Sequence, residues 1–146
     1  MKISKNKFLG MLVFLLVSSI SISGQYKDQL VNRMSDFRNK VYENVDEGHD
    51  VQQKDALRAM QEEWDKELNI VYQKIMKIAN TKTKNNLRNA QRAWLKSRDK
   101  KVHDSYYFEN PEGGSMGVLF SLNTNVKLLE QRTLELAEMY DRLTGK

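Results

Sequence analysis

Four apolar stripes that recur at three- and four-residue steps restrict this chain to helices. The first is Leu30, Met34, Phe37, Val41 and Val45, closed by the polar break Asp46, Glu47, Gly48, His49, Asp50. The second, with Asp50 as its expected N-cap, is Leu57, Met60, Trp64, Leu68, Val71, Ile75 and Ile78, and Asn80 and Thr81 punctuate its end. The third, Leu87, Ala90, Trp94, Leu95 and Val102, fades through Tyr106 and Phe108 until Asn110 and Pro111 stop it. The fourth runs Leu119, Leu122, Val126, Leu129, Thr133, Leu136 and Tyr140. Strand-like alternation is absent. The expected fold is therefore all-α, a small antiparallel helical bundle of four helices, or of three plus an N-terminal arm. Narrow stripes also suit a coiled-coil partner, but four of them in one chain favour a bundle within it.

Ahead of the stripes, Met1 to Lys7 carries three lysines and Phe8 to Ile22 is apolar apart from small residues. That is the pattern of a cleavable export signal. A membrane anchor is the alternative, and the run falls short of the ~20 apolar residues that span a bilayer. Ser21, Ser23 and Gly24 supply a small-residue exit, so residues 1–24 are expected to be removed and the product to be periplasmic or secreted. The rest, with a net charge of +2 against +5 for the whole sequence, is enough for one domain. It divides into an N-terminal arm with the start of the second helix (25–61), a main helical domain (62–140) and a tail (141–146). No cysteine is present for a disulfide or a lipid anchor, and two histidines, His49 and His103, are too few for a structural zinc site.

Charge is segregated along the chain. Residues 25–68 sum to −4, residues 69–101 to +9 and residues 102–146 to −3. Within the basic segment Lys84, Arg88, Arg92, Lys96 and Lys100 recur every four residues, which makes a ridge along one side of the third helix. Such a ridge attracts anionic envelope components such as lipid head groups or wall polymers. The plainer expectation is a solvated face whose charges meet Asp and Glu on neighbouring helices. No nucleic-acid motif accompanies it. The carboxylates Glu62, Glu63, Asp65 and Glu67 read as an exposed face of the second helix, since the Glu-x-x-His step of metal-binding bundles is missing. Ser115 lacks a nucleophile elbow, and His103 beside Asp104 forms no triad. The chain is read as non-enzymatic, with no cofactor and no metal.

Gln91, Trp94 and Arg98 share the face of Leu87, placing two polar side chains at the edge of the core. Buried polar groups need partners, and Asn69 or Tyr72 of the second helix are the expected ones. Trp94 and Arg98 are read as mainly structural. Between the third and fourth helices, Pro111 stops one helix, Gly113 and Gly114 allow unusual backbone angles, and Ser115 is expected to cap the next. Glu112 would stand at the tip of that turn.

Taken in order, Leu68, Asn69 and Tyr72, then Leu87, Ala90, Gln91, Trp94, Arg98 and Asp99, then Gly113, Gly114, Ser115 and Met116, and finally Arg132 and Leu136, resemble the LprI-type lysozyme-inhibitor domain. The resemblance covers roughly residues 62–140. It implies a small exported helical domain whose activity is inhibition of lysozyme. Family members usually carry two cysteines where this chain has Val102 and Thr124, so the disulfide they would form is absent here. On this resemblance the chain is expected to be a binding protein that occludes lysozyme or another peptidoglycan hydrolase. Glu112 and Ser115 are candidate contacts, and the acidic first and fourth helices are candidates for steering toward a cationic enzyme. The alternative function is an envelope structural or accessory protein that holds anionic surfaces through the Lys84 to Lys100 ridge.

Overall fold

A computed structural model describes residues 25–46, 48–108 and 112–145. The expected export signal, Glu47 and the Asn110 and Pro111 helix stop lie outside them. Four helices follow in order: α1 (Tyr26–Tyr42), α2 (Asp50–Ile78), α3 (Thr81–Tyr106) and α4 (Ser115–Thr144). None of them is long and apolar enough to cross a membrane. The all-α expectation holds, and each apolar stripe lies largely on its own helix.

The ends follow local chemistry, with two differences from expectation. Asp50 is the first residue of α2 and not its cap; its carboxylate accepts from Lys54 Nζ one turn on at 2.6 Å. Gly114, not Ser115, precedes α4 as its cap residue. Ala79 ends α2 and Asn80 starts α3: the backbone turns extended at both, and Asn80 Oδ1 accepts from Thr83 N at 2.9 Å. α4 closes on Gly145, whose φ of 72° is the left-handed conformation that suits glycine.

α4 is the hub. It packs most extensively on α2 and also on α3 and α1, while α1 and α2 touch each other. Polar contacts fix the directions. Ser115 meets Asp50 and Thr133 meets the Trp64 carbonyl, so α4 runs parallel to α2. Asp141 meets Tyr26 and Glu130 meets Arg38, so α4 runs antiparallel to α1. The result is a three-helix core of α1, α2 and α4 with α3 laid along the outside of α4. The N-terminal helix is thus part of the core, not an arm, and residues 61–62 fall within α2.

The core centres on Trp64, Leu30, Met60, Ile75, Leu129 and Val71, all essentially inaccessible. From α3 only Leu87 joins it fully; Trp94 packs against it half-buried, Ala90 is exposed and Leu95 keeps 38% of its surface. Three buried polar groups lock the core. Thr133 Oγ1 donates to the Leu129 carbonyl at 2.7 Å. Glu67, expected on an exposed face, is buried and takes a forked bond from Arg33 of α1, with two contacts at 3.1 Å. A carboxylate this far out of water needs such a partner. Asp141, in the expected tail, is buried and accepts the amides of Tyr26 at 2.8 Å and Lys27 at 3.0 Å, capping α1 from across the bundle.

Candidate functional site

The end of the bundle where α3 turns into α4 is shaped from beneath by Tyr106. Its ring lies under Gly113, so that a Cβ there would fall 2.1 Å from Cε1, and its hydroxyl accepts from the Gly114 amide at 3.1 Å. Gly113 and Gly114 take φ of 73° and 89°, which side-chain-bearing residues resist. One turn into α4, a Cβ on Gly117 would stand 2.4 Å from the Tyr106 carbonyl oxygen, so the two helices cross at backbone contact. Ser115 does not cap: its hydroxyl donates to Asp50 and accepts from Lys54, pinning the start of α4 to the start of α2. The Lys54 bond first, and the Ser115 bond second, hold the Asp50 carboxyl below the usual carboxylate range. Glu112 is exposed on this braced turn.

Further along α3, Gln91 Oε1 accepts from Arg132 Nε of α4 at 3.1 Å, and Arg132 also pairs with Glu135 at 3.0 Å. The partner of Gln91 is thus on α4 and not, as expected, Asn69 or Tyr72 of α2. The Arg98 guanidinium lies over the Trp94 ring, 5.2 Å from its centre, and bonds Asp99 at 2.8 Å. Asn69 instead donates to the Asp65 carbonyl of its own helix at 2.9 Å. Leu68, Asn69 and Tyr72 therefore line, with Gln91, Arg88, Arg92 and Leu95, an open groove of about 420 Å³ between α2 and α3.

The basic ridge does not meet carboxylates of neighbouring helices. Lys100 pairs with Asp104 of its own helix at 2.5 Å, and that bond draws the Asp104 carboxyl below its ordinary range. Arg88 bonds only Asn85, at 3.1 Å. Among the described residues Lys84, Arg92 and Lys96 make no ion pair.

Sequence reasoning passed over Tyr106, Lys54 and Asp141, the residues that hold the turn and the bundle ends. The glycine spacing Gly113, Gly114, Gly117 was the available signal for Tyr106, because small residues one turn apart permit a close crossing. Among the described residues no three His, Asp or Glu gather where an ion could be held.

The scaffold is helical, with Gly113 and Gly114 shaped around Tyr106 ahead of α4 and polar signature residues divided between helix contacts and an open groove. The chain belongs to the LprI lysozyme-inhibitor family, whose profile matches residues 43–136, from the α1–α2 connection through most of α4. No curated protein and no solved structure matches it.

Proposed function

We propose that this protein is an exported inhibitor that occludes a lysozyme-type peptidoglycan hydrolase by binding alone, presenting the α3–α4 turn to the enzyme. Family membership over residues 43–136 carries the reading of lysozyme as the partner class. Export rests on the basic and apolar pattern of residues 1–24. Residues 112–115, the described end of the turn, are favoured as contact because they are braced. The Tyr106 wedge and the Ser115 link to Asp50 and Lys54 fix their shape before binding, which avoids the ordering cost of a loose loop. Glu112 adds a carboxylate suited to the rim of a cationic enzyme.

Titrating the protein without residues 1–24 into a lysozyme turnover assay tests this directly. The expected result is saturable inhibition, weakened at least tenfold, about 1.4 kcal/mol, by Glu112→Lys with the helix content unchanged. No inhibition of several lysozyme types at micromolar excess would sink the reading. An unchanged constant in Glu112→Lys would move the contact away from this turn.

A further inference from the structure

The α3 ridge carries net charge that the fold leaves unused. Arg88, Arg92, Lys96 and Lys100 are all exposed, and among the described residues only Lys100 of these four has a carboxylate partner. Asp99, the other acidic residue of α3 beside Asp104, is already engaged by Arg98. α3 gives the core a single fully buried residue over its 26 residues. Its outer side is thus free along a length of about 39 Å at 1.5 Å per residue.

Aromatic and apolar groups stand at the C-terminal end of the same strip. The rings of His103 and Tyr107 meet at a tilt with centres 5.3 Å apart, continuing the line of Lys96 and Lys100, and Tyr107 is 45% exposed. Phe108 follows with 79% exposed. Met116 (52%) and Val51 (69%) lie at the same end, brought there by the Ser115 bond to Asp50. Exposed aromatic and apolar side chains next to a line of cations match the two layers of a membrane surface, where rings settle at head-group level and lysines and arginines meet anionic lipid.

We propose that α3 docks this protein lengthwise on an anionic phospholipid surface, with the Arg88 to Lys100 ridge against the head groups and Tyr107 and Phe108 entering the interface. A soluble polyanion would use the cations and leave the apolar end without a role. The ridge runs along the flank of the bundle, whereas Tyr107 and Phe108 share the α3–α4 end with Glu112, so it is the ridge substitutions, which leave that end intact, that separate docking from the inhibitory reading.

The test is co-sedimentation with vesicles of phosphatidylcholine mixed with anionic phosphatidylglycerol against vesicles of phosphatidylcholine alone. Binding is expected only to the anionic vesicles and is expected to be lost as salt is raised. Each basic residue near such a surface is worth about fivefold in affinity. Arg88→Glu/Arg92→Glu/Lys96→Glu should therefore lower binding by about a hundredfold or more with unchanged helix content, since none of the three supports the fold. Phe108→Ala should weaken it by roughly tenfold, as for an apolar side chain withdrawn from contact. Absence of binding to anionic vesicles, or equal binding by the wild type and the triple variant, overturns the proposal. So does a low-salt dimer that the triple variant abolishes without any vesicle binding, which would make the occupant a second copy of the chain. Wild-type inhibition of lysozyme by the triple variant is expected, keeping the two readings separable.

Discussion

Asp141 is the residue whose loss should reveal how α1 is held. Gln25, ahead of the helix, makes no side-chain cap, so the first-turn amides of α1 depend on a carboxylate that arrives from α4. Asp141→Ala removes two charge-assisted bonds, to Tyr26 N at 2.8 Å and Lys27 N at 3.0 Å. Each such bond is worth about 1.5–3 kcal/mol, but both end on one carboxylate and are not additive, and water can reach the freed amides in part. A loss of about 3 kcal/mol follows. For a domain of this size that lowers the melting temperature by roughly 10 °C. Asp141→Asn keeps one acceptor oxygen and loses the charge that favours a helix N-terminus, so about 1 kcal/mol is expected. Thermal unfolding followed by circular dichroism gives the magnitude, and amide exchange gives the location: Leu30 and Met34 should lose protection before Val71 and Leu129. A melting temperature for Asp141→Ala within about 2 °C of wild type would refute the argument, and uniform loss of protection would show that α1 does not open separately.

Four other substitutions probe the core and its edge, the helix crossing and the α2–α4 link. Trp64→Ala should destabilise by about 3–5 kcal/mol as a large-to-small change at full burial, and Trp94→Ala, at the edge, by about 1–2 kcal/mol; equal losses in urea unfolding would contradict the burial difference. Gly117→Ala pushes a methyl group against the Tyr106 carbonyl oxygen, a backbone atom that cannot turn aside, so a loss of about 1–3 kcal/mol is expected and an unchanged denaturation midpoint would speak against backbone contact there. Because the Asp50 carboxyl titrates lower in the folded chain than in the unfolded one, its contribution is present above the unfolded value and lost as pH falls through the folded one. Lys54→Gln should raise the Asp50 titration midpoint seen by carboxyl NMR, and an unmoved midpoint would remove Lys54 as its cause.

Periodicity made the helices legible because each stripe needs only its own sequence. Leu57, Met60, Trp64, Leu68, Val71 and Ile75 are all buried, as their spacing requires. It could not say which helices share those stripes. α3 shows the limit: Ala90 and Leu95 fit a helical stripe yet stay outside, because α3 touches mainly α4 and has no third helix to close over them. Charge was misread at Glu67 for a related reason. Four carboxylates crowd one stretch of α2, and only the approach of Arg33 from α1, 34 residues away, separates the buried one from its exposed neighbours. At the α3–α4 turn the glycines and Ser115 were recognised as turn formers. The bonds of Ser115 to Asp50 and Lys54 depend on α2 and α4 running parallel, a tertiary fact that no local pattern carries.

The contacts between α3 and α4 share one register. Tyr106 meets Gly117 and Gln91 meets Arg132, so fifteen residues along α3 correspond to fifteen along α4 in the opposite direction. In that register Val102 faces the level of Ser121, and Thr124 lies within one turn of it. The two positions where the resemblance places cysteines in other family members therefore lie close along this same seam. A disulfide there would clamp α3 to α4, and this chain has none. Its α3 is held at one end by the Tyr106 wedge among Gly113, Gly114 and Gly117, and toward the other by Leu87 and the Gln91–Arg132 bond, with Trp94 and Arg98 stacked between. The signature residues Gln91, Trp94, Gly114 and Arg132 can thus be understood as parts of one fastening. Asn69 and Tyr72 stand outside that fastening: Asn69 bonds the Asp65 carbonyl of its own helix, Tyr72 packs half-buried against the core, and both line the open groove between α2 and α3.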